Sequence, residues 1–327
     1  MKVVLLHTRE ACGPPADPVL GELSDALAAA GHLVLPVTVD ERVEPVVGAL
    51  REAESDLVFN LAESFGGKSA LESNVAALLN LLDLRYTGSS PAGLLLAGDK
   101  ALAKKVLTFH GIATPQFATV FRGSVDWADD IGFPLIVKPP QEDASLGVTA
   151  GSVVHDVKEL LERIGEVEGE FRQPALVEQY IEGREFYVGV LGNQDPRALP
   201  VMELDFTGFP ADRPRIASWE AKWGTDGSGA GAEYAGTRSI FPEGLDAALD
   251  ARMREVAVES FRALRLRDYA RIDLRVTDRG EIYVIEVNPN CYLEREGEFA
   301  RAAARDGLPY EALVSRIVEL ALARYAR

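Results

Sequence analysis

The hairpin sequence RIDLRVTDRGEIYVIEVN, residues 271 to 288, concentrates three side chains that offer oxygen ligands and one arginine. Arg271 and Asp273 are two residues apart in its first strand, and Glu286 and Asn288 are two apart in its second. Residues two apart in a strand point to the same face of the sheet, so each pair shares a face. Oxygen ligands suit Mg²⁺, whose remaining ligands are usually waters and substrate phosphates. The hairpin therefore predicts a metal site that serves nucleotide chemistry.

An alternative interpretation is an ordinary charged hairpin on the solvated face of an antiparallel sheet. The apolar residues around the acids, Ile282, Val284, Ile285 and Val287, form an almost continuous run. Such a run indicates a strand that is covered on both faces. Carboxylates placed there need cationic partners or a metal.

Two lysines stand where an anion could bind. Lys138 ends the apolar segment PLIVKPP, where its ammonium needs an anion unless its stem reaches the surface from the strand end. In the loop that follows, Ser145 and Gly147 would let backbone N–H groups approach phosphate oxygens. Lys100 begins a predicted helix, whose amide dipoles favour an anion. Taken alone, however, Lys100 resembles an ordinary exposed helix lysine.

The segment VEQYIEGRE, residues 177 to 185, joins two predicted units of the chain. A strand edge at this position can pair its backbone with an adenine ring, and a following carboxylate can accept hydrogen bonds from ribose hydroxyls. The alternative is a plain strand followed by a glycine turn. Further on, Lys222 stands beside the glycine-dense segment 224 to 236, from which it could reach a terminal phosphate or simply be solvated.

Composition and charge narrow the class of protein. The 327 residues are 47% hydrophobic and 26% charged, which is typical of a globular chain with two or three domains. The net charge of -17 argues against a nucleic-acid partner, because such binding depends on Lys and Arg neutralising phosphates. Cys12 and Cys291 have no metal spacing. Without a signal peptide or a long apolar run, we expect a cytoplasmic protein with no membrane partner.

Alternating strands and helices at the start of the chain predict a parallel sheet with helices on both faces, and thus an α/β (α+β) fold class. No G-x-G-x-x-G sequence follows the first strand, which disfavours nicotinamide binding. The predicted divisions are residues 1–95, an amino-terminal α/β domain; residues 96–181, a central subdomain; and residues 182–327, a carboxyl-terminal subdomain with the metal site.

Six motifs occur in a fixed order along the chain, namely DK, VKPP-x-x-x-x-S-x-G, VEQYIEGRE, AKW, RID and EVNPN. This series resembles the ATP-grasp superfamily and, within it, the D-alanine:D-alanine ligases, over nearly the whole chain. The segment 59 to 90, which ends in Y-T-G-S, also looks like the amino-terminal domain of these ligases. The resemblance implies an ATP-grasp fold preceded by a parallel-sheet domain.

The resemblance also implies a role for each matching residue. Phosphates of ATP would contact Lys100, Lys138 and, at the γ-phosphate, Lys222, with Ser145 in the phosphate loop. Adenine would lie against Glu178, Tyr180 and Ile181, and Glu185 would hold the ribose. Two Mg²⁺ ions, or Mn²⁺ in their place, would be bound by Asp273, Glu286 and Asn288. Arg271 would stabilise the negative charge that develops at the reacting carboxylate.

The chain departs from the ligase pattern where the amino-acid substrates bind. Asp143-Ala144-Ser145 lacks the first serine of the family's pair, and Lys222-Trp223 replaces Lys-Tyr. Residues 289 to 294, PNCYLE, replace Pro-Gly-Met-Thr and a later serine. The glutamate expected after the first strand is out of register, with Cys12 at its position and Glu10 nearby. The ATP motifs are thus retained, whereas the pocket for two D-alanines is not.

These observations predict an ADP-forming carboxylate–amine ligase that joins small amino acids through an acylphosphate. The loop 224 to 236 would shield that intermediate from water. Alternatives that retain the nucleotide site are a carboxylase or carboxylate kinase, and a regulator that binds nucleotide without turnover. The expected partners are small-molecule substrates. The chain could also form a homodimer.

Overall fold

The computed structural model describes residues 1–8, 18–128, 131–142, 145–208, 213–217 and 237–326. In this part of the chain, strands and helices form three units, each built on its own sheet. No helix among these residues is both long and apolar enough to cross a bilayer.

The amino-terminal unit is a parallel sheet with strand order β2-β1-β3. Its elements are β1 (Lys2–Thr8), α1 (Pro18–Ala29), β2 (Leu33–Val39), α2 (Val43–Ala53), β3 (Leu57–Leu61) and α3 (Glu72–Leu81). Alternate residues of β1 face opposite sides: Val3 and Leu5 pack with α1, whereas Val4 and Leu6 join a separate core with α2 and α3. The predicted parallel sheet with helices on both faces is therefore confirmed.

Two helices lead from this sheet into the rest of the chain, α4 (Pro91–Gly98) and α5 (Lys100–Phe109). Each begins with a side-chain cap: Ser90 accepts from the Gly93 N–H, and Asp99 accepts from the Leu102 N–H. The sequence interpretation did not include α4, and its first predicted boundary, residue 95, falls within this helix.

The central unit is an antiparallel sheet with strand order β5-β4-β8-β6-β7, covered on one face by α6. Its elements are β4 (Phe117–Phe121), β5 (Ser124–Ala128), β6 (Leu135–Lys138), β7 (Val153–Val154), α6 (Val157–Phe171) and β8 (Ala175–Gln179). The other face meets α5, where Ala101 packs against Phe117 and Leu176. Lys138 lies opposite Leu176, so it shares this α5 face with Glu178.

The carboxyl-terminal unit is a second antiparallel sheet with strand order β12-β11-β9-β13-β14, and β10 also pairs with β9. Its elements are β9 (Arg184–Leu191), β10 (Arg197–Ala198), β11 (Met202–Asp205), β12 (Arg238–Ile240), α7 (Ala247–Ala263), β13 (Tyr269–Val276), β14 (Ile282–Asn288), α8 (Glu298–Arg305) and α9 (Tyr310–Ala323). The predicted hairpin of residues 271 to 288 is β13 and β14.

The two faces of this sheet have different surroundings. One face packs on α7 and on Ala103 and Leu107 of α5, forming an apolar core. The opposite face carries charged residues in its middle and packs towards α8, α9 and α1 at its end. Helix α5 thus lies between the central and carboxyl-terminal sheets and contacts both.

Gly183, between β8 and β9, lies where a side chain has no room. A Cβ built on this glycine would come within 2.1 Å of the Val276 carbonyl oxygen. We expect Gly183→Ala to destabilise the protein by roughly 3 kcal/mol in urea unfolding, because backbone has to move. Gly169→Ala is the matched control, since no atom lies within 4 Å of its Cβ position in α6. It should stabilise by about 0.5–1 kcal/mol, and equal effects of the two changes would contradict this packing.

Candidate active site

A cavity lies between the central and carboxyl-terminal sheets. Nine of the residues singled out in the sequence line it: Lys100, Lys138, Ser145, Glu178, Tyr180, Ile181, Glu185, Asp273 and Glu286. They come from α5, both sheets and the loops between them, and from positions 100 to 286 of the chain. We refer to this space as the first cavity. The fold therefore gathers side chains that the sequence could only place in order.

Lys100 is 8% exposed at the first position of α5. Its Nζ lies 2.9 Å from Glu286 Oε1 and donates a 2.6 Å hydrogen bond to the backbone oxygen of Glu142. The interpretation of Lys100 as an exposed helix lysine is therefore wrong. It links α5, β14 and the loop after β6 at one wall of the cavity.

Glu178 is 1% exposed and lies between two buried lysines. Its Oε1 is 3.1 Å from Lys138 Nζ and 3.4 Å from Lys104 Nζ. Burial lowers the pKa of Lys104 to about 8, although the nearby Glu178 carboxylate opposes that shift. The sequence interpretation missed Lys104. Its spacing of four residues from Lys100 was the available signal, because such residues share a helix face.

Within the acidic hairpin, the carboxylate of Asp273 is paired with Arg271. Asp273, 3% exposed, accepts hydrogen bonds from Nε and Nη2 of Arg271 at 2.7 and 2.9 Å. Asn288 donates to the second carboxylate oxygen of Asp273 at 3.1 Å. In the ladder Asp273 is opposite Glu286, and Arg271 is opposite Asn288. The four side chains that the sequence placed together are thus neighbours on one face of the sheet.

A β-bulge explains the almost continuous apolar run around these acids. The ladder register shifts between Asp273 and Leu274. Asp273 is opposite Glu286 and Leu274 is opposite Val284, so Ile285 has no residue of β13 opposite it. Val284 and Val287 therefore both belong to the apolar core, although they are an odd number of positions, three, apart. Ile285 lines the first cavity instead. The expectation of a strand covered on both faces is corrected: one face is core and the other is cavity.

Arg275 is a further cavity residue that the sequence interpretation did not include. It is 4% exposed, and its Nη2 donates to Glu185 Oε2 at 2.8 Å and to the backbone oxygen of Arg215. The Tyr187 hydroxyl donates to the other Glu185 oxygen at 3.0 Å. Strand alternation from Arg271 and Asp273 could have identified Arg275, because residue 275 points to the same face.

Loops from both sheets meet across the first cavity. Ser145 Oγ donates to the Ala217 backbone oxygen at 2.6 Å, and Tyr180 Oη lies 3.5 Å from the Arg215 oxygen. Several predicted residues lie outside the described part of the chain, so their positions are not part of this geometry. They are Glu10, Cys12, Asp143, Ala144, Lys222, Trp223 and the loop 224 to 236.

The side chains at the hairpin have the chemistry of a site for a hard divalent cation. Asp273 and Glu286 face the first cavity, and Asn288 adds an amide beside Asp273. Within the described residues, no group of three or more His, Cys, Asp and Glu could hold a metal by itself. The two carboxylates and the amide could supply oxygen ligands to an ion such as Mg²⁺, which usually takes its remaining ligands from phosphate and water.

A second cavity lies where the amino-terminal sheet meets the segment after β14. The carboxyl ends of β1 and β3 contribute to its walls, as ligand sites in parallel sheets commonly do. Its lining residues are His7, Thr8, Val19, Leu20, Leu61, Glu63, Ser64, Asn290, Cys291, Tyr292 and Leu293. It therefore includes residues 290 to 293 of the segment 289 to 294, one of the places where the sequence analysis found a departure from the ligase pattern.

Arg271 interacts with one residue of each cavity. Its guanidinium binds Asp273, which lines the first cavity, and it interacts electrostatically with Cys291, which lines the second. Burial raises the pKa of the Cys291 thiol, so this free cysteine is a poor nucleophile near neutral pH. Glu298 Oε2 is 3.6 Å from Arg271 Nη1, and the Tyr187 ring centroid is 4.8 Å from its guanidinium carbon. These contacts hold the arginine in place beside the acidic hairpin.

The buried charge of Lys104 makes stability depend on pH. Its pKa is about 8 in the folded chain and about 10.4 when exposed, so the unfolded chain retains the proton to a higher pH. From pH 8 to 10 we expect wild type to gain on the order of 2 kcal/mol in unfolding free energy relative to Lys104→Met. Denaturant titrations at each pH measure this difference. Lys158→Met, at an exposed lysine of α6, should show no such trend, and a pH-independent difference for Lys104→Met would refute the assignment.

Comparison with known proteins places the chain in a family. Residues 106–319 match the family described as D-ala D-ala ligase C-terminus. An uncharacterized protein of Sinorhizobium fredii is 34% identical, with 95% of this chain and 91% of that protein covered. A D-alanine–D-alanine ligase of Desulfotalea psychrophila is 31% identical, with 83% and 79% covered.

Among solved structures, the D-alanine–D-alanine ligase from Bacillus anthracis complexed with ATP has the same fold. The TM-score is 0.74 at 23% identity, and 99% of this chain and 98% of that chain are covered. The chain therefore belongs to the D-alanine–D-alanine ligase family, and it is an ATP-dependent ligase with the ATP-grasp fold.

Proposed function

We propose that the protein joins a carboxylate to an amine, using ATP bound in the first cavity and amino-acid substrates bound in the second. The observation that carries this proposal is the acidic hairpin at the first cavity, where Asp273 is paired with Arg271 and Glu286 with Lys100. Phosphoryl transfer depends on such fixed charges, because they orient the phosphates and stabilise the charge that develops.

The nucleotide roles follow from positions in the first cavity. Glu178, Tyr180 and Ile181, at the end of β8, would bind the adenine ring, and Glu185 at the start of β9 would accept from the ribose hydroxyls. Lys100, Lys138 and the Ser145 loop would hold the phosphates, with Lys222 at the γ-phosphate. In the present structure each of the two described lysines is paired with a carboxylate, so phosphate would replace an existing anion.

Asp273, Glu286 and Asn288 would hold Mg²⁺, or Mn²⁺ in its place, because their oxygens suit a hard cation. Bound there, the ion would neutralise triphosphate charge during phosphoryl transfer. Arg271 keeps Asp273 oriented through two hydrogen bonds, which fixes one ligand before any nucleotide arrives. The protein would thus contribute the positions and charges of the side chains that bind the ion.

The proposed reaction has two steps. A substrate carboxylate oxygen attacks the γ-phosphorus and the bond to ADP breaks, which gives an acylphosphate. The amine then attacks the acyl carbon, forms a tetrahedral oxyanion and expels phosphate as the amide forms. Arg271 would stabilise that oxyanion, because its guanidinium is held in place by Asp273 and Glu298.

The relatives named as D-alanine–D-alanine ligases suggest amino acids as substrates. In this chain the second cavity has an apolar wall of Val19, Leu20, Leu61 and Leu293 and polar groups from both strand ends. We therefore propose small amino acids as substrates, with the side chain against that wall.

We also propose a cytoplasmic location, where ATP and reduced thiols are found. A homodimer is the assembly to examine by light scattering.

The decisive experiment is a screen of D- and L-amino acids and small acids, singly and in pairs, with ATP and Mg²⁺. We expect phosphate release with at least one pair and an amide product by mass spectrometry. Phosphate release with one acid and no amide would indicate a carboxylate kinase. ATP binding without any release would indicate a regulator, and either result would overturn the ligase assignment.

The acidic hairpin should be essential for turnover. We expect Asp273→Asn and Glu286→Gln each to lower substrate-dependent ADP release by ~100-fold or more, since each removes preorganised charge at the phosphates. Steady-state ADP assays measure the effect. Asp250→Asn, which removes a half-buried carboxylate of α7 paired with Arg254, is the control and should retain activity. Wild-type rates in both hairpin variants would exclude this site.

The second cavity should affect amino-acid binding and not ATP binding. We expect Tyr292→Ala to raise the KM of one amino-acid substrate by ~10-fold, about 1.4 kcal/mol, with an unchanged Kd for ATP. Phe109→Ala is the control, because this aromatic side chain is 86% exposed on α5 and lines neither cavity. If the Kd for ATP rises instead of the KM, the two cavities have been assigned wrongly.

A further inference from the structure

The carboxylates of the proposed metal site are already bound to protein cations. Both oxygens of Asp273 accept from Arg271, and Glu286 Oε1 is 2.9 Å from Lys100 Nζ. Lys100 is 8% exposed, so solvent screens this second pair weakly. A divalent cation that enters without nucleotide has to displace a bound ammonium or bind beside it.

The two cations are held in different ways. Arg271 forms two parallel hydrogen bonds to Asp273, lies near Glu298 and stacks near the Tyr187 ring. Lys100 reaches Glu286 with one nitrogen on a flexible four-carbon stem. It also donates to the Glu142 backbone oxygen, which belongs to the loop that follows β6. Lys100 is therefore the cation that can change partner at low cost, whereas Arg271 stays with Asp273.

The other lysine pair in the cavity provides a contrast. Glu178 lies near both Lys138 and Lys104, so it keeps a cationic neighbour if Lys138 moves to a phosphate. Movement of Lys100 from Glu286 has a different consequence, because Glu286 lines the cavity beside Asp273. Its oxygen would then face the space where phosphate and metal meet.

We infer that Lys100 is a gate for the metal site: it occupies Glu286 until nucleotide phosphate draws it away, and Glu286 becomes a metal ligand in the same exchange. Each anion keeps a cationic partner, since Lys100 moves from Glu286 to phosphate and the metal takes its place at Glu286. Metal and nucleotide then bind together, and the empty protein excludes the free ion. The inference rests on the proposed metal site and adds the role of Lys100 in forming it.

The test is Mn²⁺ binding to nucleotide-free protein, followed by electron paramagnetic resonance of the free ion. We expect Lys100→Met to bind Mn²⁺ at least ten-fold more tightly than wild type, because the Lys100 ammonium no longer pairs with Glu286. Lys100→Arg, which keeps a cation, and Lys158→Met, which removes an exposed lysine of α6, should match wild type. An unchanged affinity in Lys100→Met would overturn the gate.

Two further variants test whether the gain in Mn²⁺ affinity depends on Glu286. Adding Glu286→Gln to Lys100→Met should abolish the gained affinity; a gain that persists would mean that Mn²⁺ binds elsewhere and would also overturn the inference. Lys100→Gln keeps a donor for the Glu142 oxygen. If Lys100→Met does not fold, Lys100→Gln should show the ten-fold gain in its place, and its absence would count against the gate.

Calorimetry of wild type with ATP and Mg²⁺ distinguishes failure of the proposed function from failure of the Lys100 gate. If wild type binds no nucleotide, the proposed function fails. If it binds ATP with Mg²⁺ but the Lys100 variants gain no Mn²⁺ affinity, the gate fails and the proposed function stands.

Discussion

The structure depends on the pairing of opposite charges in the cleft between the central and carboxyl-terminal sheets. A buried ammonium or carboxylate is costly unless an opposite charge and hydrogen bonds satisfy it. The first cavity supplies the opposite charges internally, with Lys100 at Glu286, Lys104 and Lys138 at Glu178, Arg271 at Asp273 and Arg275 at Glu185. Removing one partner of a buried pair costs more than the pair itself contributes, unless a second opposite charge is close, as Lys104 is for Glu178.

Helix α5 makes this arrangement possible because it packs on two sheets at once. Ala101 contacts the central sheet, and Ala103 and Leu107 join the core of the carboxyl-terminal sheet. Small residues on these sides let both sheets approach closely, so the stems of Lys100 and Lys104 are buried between them. The same packing that stabilises the two units thus delivers the two lysines to carboxylates on different sheets.

The sequence predicted those parts of the molecule that depend on local patterns. The parallel amino-terminal sheet and the β13–β14 hairpin follow from alternation and turn signals, and the order of motifs identified the ATP-grasp fold. It could not predict the bulge at Asp273, because period-two alternation assumes an unbroken register. It also missed Lys104, since the helix KALAKKVLTF has charges that suit solvent and only packing between two sheets buries one of them. The roles of the individual site residues remain predictions.

Strand β14 connects the two halves of the proposed chemistry. Glu286 lines the first cavity and Asn290 the second, and at about 3.3 Å per residue at most ~13 Å of chain separates them. Asn290 donates to Glu72 of α3 at 2.6 Å, and its Oδ1 lies where a Cβ on Gly88 would come within 2.7 Å, so the amino-terminal unit fixes its position. Substitutions after Asn288 can therefore alter the second cavity while the hairpin carrying Asp273 is unchanged. That separation is compatible with the sequence prediction that the nucleotide motifs are retained and residues 289 to 294 depart from the ligase pattern.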